Sequence, residues 1–400
     1  HHRPGDLLPN AVAVLDPKRV DCSYPYDELC GCGVGFKLMQ ALTQKRNIPI
    51  DNLIPYLDLV ATAIGADIVP IDGENRVLAY YGLQVLNTNP RAGFKALIQK
   101  TNKKTLTITD VVFIIAPRIN AAGRIKHGNY AVQLLTEFGE EQAIAFAQEI
   151  ELFNSSRKEF DQSITLEAKN QIIENQEEEN FTTVVYNENW HKGVIGIVAS
   201  RLTETYYRPT LVFTKSGDFL AASARSVKDF DVYEALEACS DYLEQFGGHK
   251  YAAGMTLKHE NYQKFKAKFE DVVRKTIKPE MREAEIVVDL QIDFSDIEPK
   301  FLRILKQFEP FGPENMHPVF ETSNVFDTGF RKTLGANNEH LRLYLKDENN
   351  DLGFGAIGFK LGDKFNEIET KAPLQIAYTI EENEWNGAVT VQLSLKDLKS

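Results

Sequence analysis

A chain of 400 residues is longer than one hydrophobic core ordinarily serves, so roughly two to four domains are expected. With 43% hydrophobic and 26% charged residues, the composition is that of an ordinary soluble protein and excludes a low-complexity one. The net charge of −12 argues against a nonspecific nucleic-acid coat protein, and the longest apolar run, Val111 to Pro117, is too short to span a bilayer.

The chain opens on His1-His2-Arg3-Pro4-Gly5 without an initiator Met or a signal peptide, which points to a fragment, a processed product or further residues upstream. Ala11 to Leu15 followed by Asp16-Pro17 reads as a buried strand ending at a turn. Cys22, Cys30, Cys32 and Cys239 are too few and too scattered for a disulfide framework. Cys30-Gly31-Cys32 has no second Cys or His pair at zinc spacing, so buried thiols in a reducing cytoplasm are expected. Helices are expected over Gly33–Gln44, Leu53–Ile64 and Asn75–Leu86, giving an incomplete α/β layer. The clearest helix falls between about Glu140 and Asn175. There Phe146, Ile150, Phe153, Phe160 and Ile164 recur at helical steps, with Arg157 in the missing slot, as a packing seam in a connector.

A second α/β unit follows: strands at 181–186 and 209–214, helices at 194–203 and 232–246, a strand at 253–258 and a Lys-rich helix to Thr276. After an acid-rich transition from Lys278 to Glu298 the pattern turns all-β. Ile376, Tyr378 and Ile380 alternate with polar residues, as do Val389, Val391, Leu393 and Leu395, and Asn386-Gly387 between them signals a hairpin turn. With runs at 341–345 and 354–359, a barrel of about five strands is expected, as in OB-folds.

Charge is uneven along the chain. Residues 1–130 carry 15 Lys and Arg against 11 Asp and Glu; the rest carry 30 against 46. No acid occurs from Val111 to Thr136, while Arg118, Arg124 and Lys126 lie within it, a basic track suited to a polyanion. Asp67 sits in the apolar run Thr62 to Pro70, where a buried carboxylate must cap, pair with a cation or bind a metal. In Pro117 to Arg124, two guanidinium groups and Asn120 flank small residues, a pattern suited to bidentate phosphate contact or to a solvated basic loop. His191-Lys192-Gly193 joins a strand to a helix whose first amides favour an anion. Ser223-Ala224-Arg225-Ser226 sets hydroxyls beside an arginine, and Gly247-Gly248-His249 presents an imidazole on a turn. Each segment alone is weak, and His1-His2 alone could equally be a tag remnant.

In this order, together with Phe308 to Asn315, the segments resemble the RecJ-type single-stranded-DNA exonucleases of the DHH phosphoesterase superfamily, from the first residue nearly to the last. His1-His2-Arg3-Pro4-Gly5-Asp6 looks like the DHH motif without its Asp, and Ala66 to Pro70 resembles the later metal-binding aspartate segment. The resemblance implies a multidomain α/β protein with a β-barrel: a partial DHH domain over 1–130, a connector helix over 131–179, a DHHA1 substrate-binding domain over 180–278 and an OB-fold over 279–400. It implies a 5′→3′ exonuclease releasing mononucleotides from single-stranded DNA, with Mn2+ or Mg2+ at a two-metal site. Such a protein serves DNA repair and recombination in the cytoplasm, and a single-strand-binding protein and a helicase are its expected partners.

Carried onto this sequence, His1 and Asp67 would be metal ligands and His2 a catalytic contact to the scissile phosphate. Arg118, Asn120, Arg124, His191, Lys192, Ser223, Arg225, Ser226 and His249 would bind DNA or grip its phosphates. The family's Asp-x-Asp motif and other upstream aspartates have no counterpart in these residues, so the chain alone is expected to be inactive or nearly so. A DHH phosphodiesterase acting on oligonucleotides or cyclic dinucleotides, and a non-catalytic single-strand-binding relative, are the competing readings.

Overall fold

The computed structural model describes all residues except 3, 6, 100, 102, 348–351, 369–371 and 386–387, so the Asn386-Gly387 turn expected above lies outside the described residues. Helices α1 (Gly31–Lys45), α2 (Leu57–Asp67), α3 (Gly73–Thr88) and α4 (Ala92–Ile98) come first, then the short capped turn α5 (Ile108–Asp110), α6 (Ala116–Ile125), α7 (Asn129–Thr136) and the long α8 (Glu140–Glu174). Strand β1 (Thr183–Tyr186), α9 (Ile195–Tyr206), β2 (Thr210–Ser216), β3 (Phe219–Arg225), α10 (Val232–Glu237), β4 (Gln245–His249), β5 (Ala252–Lys258) and α11 (Tyr262–Thr276) follow. The C-terminal part holds β6 (Leu290–Gln291), α12 (Pro299–Lys306), β7 (Phe320–Asp327), β8 (Lys332–Leu334), β9 (His340–Asp347), β10 (Gly353–Gly358), β11 (Leu374–Trp385) and β12 (Ala388–Lys399). It is a multidomain α/β protein with a C-terminal OB-fold.

The chain forms two compact units, neither contiguous in sequence. One comprises residues 1–88, 105–112 and 285–400, the other 89–104 and 113–284. In the first, Cys30 caps α1 by accepting the Gly33 amide on its thiol (3.3 Å), which gives the buried cysteine a local structural role. Helices α1 to α3 pack around Leu57, Val60, Ile64, Ile71 and Leu78. Ala11 to Leu15, expected as a buried strand, is instead irregular and mostly exposed. A strand needs a neighbour to satisfy its amides, and among the described residues this segment has none.

The same unit contains a seven-stranded sheet in the order β6-β7-β11-β12-β10-β9-β8, where an added β7–β9 pairing curls the sheet on itself. The alternating residues of β9, Leu341, Leu343 and Leu345, and of β11, Ile376, Tyr378 and Ile380, fill its interior. Of the aromatic residues leading into and through it, Phe311 and Phe320 are buried, whereas Phe308 and Phe330 are exposed.

In the second unit α8 runs 35 residues, about 52 Å at 1.5 Å per residue. Its buried face is Ala143, Ala147, Ile150, Asn154, Arg157, Asp161, Ile164, Ala168 and Ile172. Helical periodicity holds, but the face is rotated from the expected phenylalanine stripe, and Phe160 is exposed. Small residues let α8 approach its neighbours more closely than phenylalanine would. Sheet β1-β2-β3-β5-β4, with only β1–β2 parallel, packs α11 on one side through Phe213, Tyr262, Phe265 and Phe269. Its Val185 and Val212 pack with Val198 and Leu202 of α9 and with α8. The helix expected over 232–246 stops at Glu237, and Gln245 and Phe246 at the end of that span join Gly247-Gly248-His249 as β4 of the β4–β5 hairpin.

Candidate phosphate-binding and metal-ligand residues

His1 and Asp67 meet in the first unit. Asp67 is the last residue of α2, and the next residue, Ile68, takes a left-handed conformation (φ 55°) that β-branched residues rarely adopt. Its carboxylate lies 3.5 Å from His1 Nδ1, and the His2 ring sits 4.2 Å from that of His1. The His1 ring also covers the start of α1: a Cβ on Gly31 would come 3.1 Å from its Cδ2. The pair offers one imidazole and one carboxylate. Hard divalent cations take six or more ligands, and among the described residues no group of three or more His, Cys, Asp or Glu is placed to hold one. The residues present therefore do not by themselves constitute a two-metal centre.

The second unit brings Arg124, His191, Ser223 and Arg225 together around the start of α9. Gly196, in the first turn of α9, faces β3 so closely that a Cβ there would come 3.0 Å from Ser223 Oγ and 3.2 Å from Arg225 Nη2. Arg225 donates from Nη1 to Ser223 Oγ (3.1 Å) and to the Ala224 carbonyl (2.7 Å), which fixes its plane beside the helix start. Burial, and then the neighbouring Arg124 charge, hold Arg225 below the ordinary guanidinium pKa. Arg124, near the end of α6, donates from Nη1 to the Gly193 carbonyl (3.1 Å). The Gly193 amide donates to His191 Nδ1 (3.1 Å), so the neutral imidazole carries its proton on Nε2, and the ring stacks on Phe160 of α8 at 5.2 Å.

Other expected residues are placed differently. Arg118 directs Nε and Nη2 at Glu151 of α8 (2.6 and 3.4 Å) and Nη1 at the Ile114 carbonyl (2.6 Å), while Asn120 is exposed on α6. Lys192 donates to Ser216 Oγ (2.9 Å), and the Ser226 hydroxyl donates to the Phe230 carbonyl (2.8 Å). His249 ends β4 and accepts the Tyr251 amide on Nδ1 (3.4 Å).

Three charged residues escaped sequence reasoning as site candidates: Arg157, Asp161 and Arg201. Asp161 is fully buried, and its Oδ2 lies 2.7 Å from Arg201 Nη2 and 3.6 Å from Arg157 Nη1. Burial draws the Arg157 pKa down; Asp161 opposes this, and the positive charges of Arg201 and Arg124 add to it. Two guanidinium groups thus share one carboxylate, and Arg124 lies close enough to both Arg157 and Arg225 for its charge to act on each. Only Arg157, in the slot of an apolar seam, offered a signal in the sequence.

Comparison with known proteins bears on the fold and the family of the chain. The RecJ OB domain family model matches residues 288–397, and the DHHA1 domain model matches residues 179–275. The single-stranded-DNA-specific exonuclease RecJ of Bacillus subtilis is 35% identical over 406 residues, covering 99% of this chain and 50% of that protein. RecJ of Escherichia coli is 31% identical, covering 100% of this chain and 72% of that one. The crystal structure of Thermus thermophilus RecJ in complex with Mn2+ superposes with a TM-score of 0.85 at 27% identity, covering 100% of this chain and 57% of that one. A second crystal structure of that protein, in complex with Mg2+, gives 0.81. The chain therefore spans between half and about three quarters of the length of these relatives.

Proposed function

This chain belongs to the RecJ family of single-stranded-DNA-specific exonucleases, and from that premise we propose that its β3–α9 corner grips the phosphates of a DNA single strand undergoing 5′→3′ hydrolysis. One observation carries the reading: buried Arg157 and half-buried Arg225 are each neighboured by the exposed Arg124, and Asp161 pairs with Arg157 and with the exposed Arg201. Concentrating like charges in partly desolvated surroundings costs free energy unless an anion completes the site. Arg225 and Ser223 converge on the amide end of α9, a twelve-residue helix, and phosphate suits that combination of fixed fork, hydroxyl and helix start. His191 adds an Nε2–H donor on the same loop.

Divalent-metal dependence is part of the same proposal, supported by the Thermus thermophilus RecJ structures in complex with Mg2+ and Mn2+; bound metal would supply the activated water and charge neutralisation of phosphodiester hydrolysis. His1 and Asp67 are the proposed ligands from this chain and His2 the proposed phosphate contact, but two ligand groups fall short of a two-metal site. The 400-residue chain is accordingly expected to bind a single strand without appreciable turnover. A single-strand-binding protein and a helicase as partners, and a cytoplasmic location, belong to the same proposal.

The test is fluorescence anisotropy of a labelled oligothymidylate against its duplex, across several salt concentrations. Preference for the single strand is expected, with Arg225→Ala binding about tenfold or more weaker and its salt slope shallower by about 0.7, the share of one phosphate contact. Equal binding by Arg225→Ala sinks the assignment of the grip. Robust turnover by the purified chain with Mn2+ sinks the expectation of inactivity.

A further inference from the structure

Behind the phosphate-binding corner, α8 touches the presenting loop and helix with two consecutive residues. Phe160 stacks on His191, which begins the loop, and Asp161 pairs with Arg201, which lies between one and two turns into α9. On the same face of α8, Asn154 and Arg157 precede Asp161 and Thr165 follows it. Arg157 Nη2 donates to Asn154 Oδ1 (2.9 Å), and Arg157 approaches Asp161 from one turn away. The stripe is buried: Asp161 is 0%, Asn154 1% and Arg157 9% exposed. It is also under-satisfied, since Asn154 Nδ2, Arg157 Nε, Asp161 Oδ1 and Thr165 Oγ1 have no protein hydrogen-bond partner. Most buried polar atoms are paired, so within the protein the ion pairs of Asp161 are the main polar contacts along this stripe. A single carboxylate oxygen, Asp161 Oδ2, makes both ion pairs.

We propose that Asp161 is a positioning residue for phosphate binding, the buried counter-charge that holds Arg157 and Arg201, and through them the α8–α9 packing, in the arrangement that presents Arg124, His191 and Arg225 to the strand. The inference rests on the phosphate-binding reading given above. It makes a claim opposite in sign to that of simple electrostatics. Asp161 is an acid beside a polyanion site, so by field alone its neutralisation strengthens binding. As a positioning residue, its neutralisation releases two guanidiniums that then repel each other and Arg124, and binding weakens although the protein has gained net positive charge.

The experiment measures the affinity of the full chain for a fluorescent oligothymidylate of about 20 nucleotides, from about 50 to 200 mM salt. Wild type, Asp161→Asn, Arg157→Lys and Arg225→Ala are compared, with folding checked by circular dichroism and melting. Asp161→Asn is expected to bind about tenfold weaker than wild type at every salt concentration. Binding as tight as wild type, or tighter, overturns the proposal. Arg157→Lys keeps the charge but loses the planar fork spanning Asn154 and Asp161, and is expected to bind several-fold weaker with an unchanged salt slope. Should Asp161→Asn fail to fold, wild-type affinity in Arg157→Lys overturns the proposal alone. Failure of the underlying reading looks different: wild type shows no preference for the single strand, or Arg225→Ala binds like wild type.

Discussion

Gly193 lies where the strand-to-helix loop meets the end of α6, and replacing it by alanine tests that junction directly. An added Cβ would fall 2.4 Å from the Arg124 carbonyl oxygen and 3.2 Å from its carbon; ordinary contact begins near 3.4 Å. The obstacle is backbone, so no rotamer change relieves it, and loop and helix must part by about 1 Å. Arg124 meets Gly193 twice, because its guanidinium donates to the Gly193 carbonyl while its own carbonyl blocks the Cβ. Overpacking of this kind costs about 1–3 kcal/mol, and moving Arg124 by about 1 Å forfeits a charge-assisted hydrogen bond of about 1.5–3 kcal/mol. Gly193→Ala is therefore expected to bind the single strand about 10- to 100-fold weaker in an anisotropy titration and to melt several degrees lower. Gly123→Ala is the matched control, since its nearest neighbour would be 3.9 Å away. It lies within α6, where alanine favours the helix by about 0.5–1 kcal/mol. If Gly193→Ala binds and melts like wild type, the close packing of Arg124 on this loop is not what places its charge.

Arg118→Ala and Glu151→Ala are expected to lower the melting temperature by similar amounts, because each removes one half of the same half-buried pair. An unchanged single-strand salt slope in Arg118→Ala marks that pair as structural, and a slope shallower by about 0.7 assigns Arg118 a phosphate as well. Glu270 gives an acid-dependent signature. Burial raises its pKa, but the Thr182 hydroxyl, the Phe181 amide and Arg274 together outweigh burial and hold it below 4.5. A depressed folded pKa contributes stability above the unfolded value and loses it as pH falls through the folded one. Glu270→Gln should thus melt lower than wild type at neutral pH, with the gap closing below pH 4.5 in a pH series of thermal melts.

Local pattern made much of this architecture legible. The alternation in β11 and β12 and the period of α8 are encoded within a few residues of themselves. What failed needed a distant partner. Ala11 to Leu15 has the composition of a buried strand, but composition cannot supply the neighbour whose carbonyls its amides require. The phenylalanines of α8 dominate its apolar count, yet Ala143, Ala147 and Ala168 face the core, because close approach favours small residues over large ones. At the phosphate-binding corner, Ser223 and Arg225 were visible as a motif. The pairing of Asp161 with Arg201 was not, since the two lie forty residues apart on different helices and only the fold brings α8 against α9.

On the proposed reading, the same corner accounts for how an acidic protein would take a polyanion. At a net charge of −12, the summed charge of the chain does not attract DNA, and exposed charges farther than about 10 Å are screened at ordinary salt. Attraction must then come from groups that screening does not reach, held close and partly out of water. Arg157 is buried and Arg225 half-buried, and both have their guanidinium pKa drawn down by burial, the mark of charges kept where solvent compensates them poorly. Such charges interact strongly with a phosphate that displaces the remaining water, and weakly with one passing at a distance. Partly buried arginines in a protein of net negative charge therefore disfavour loose association along a duplex and reward a flexible strand that can reach in. The preference for single strands is expected to rest on depth of access to these arginines more than on any excess of positive charge.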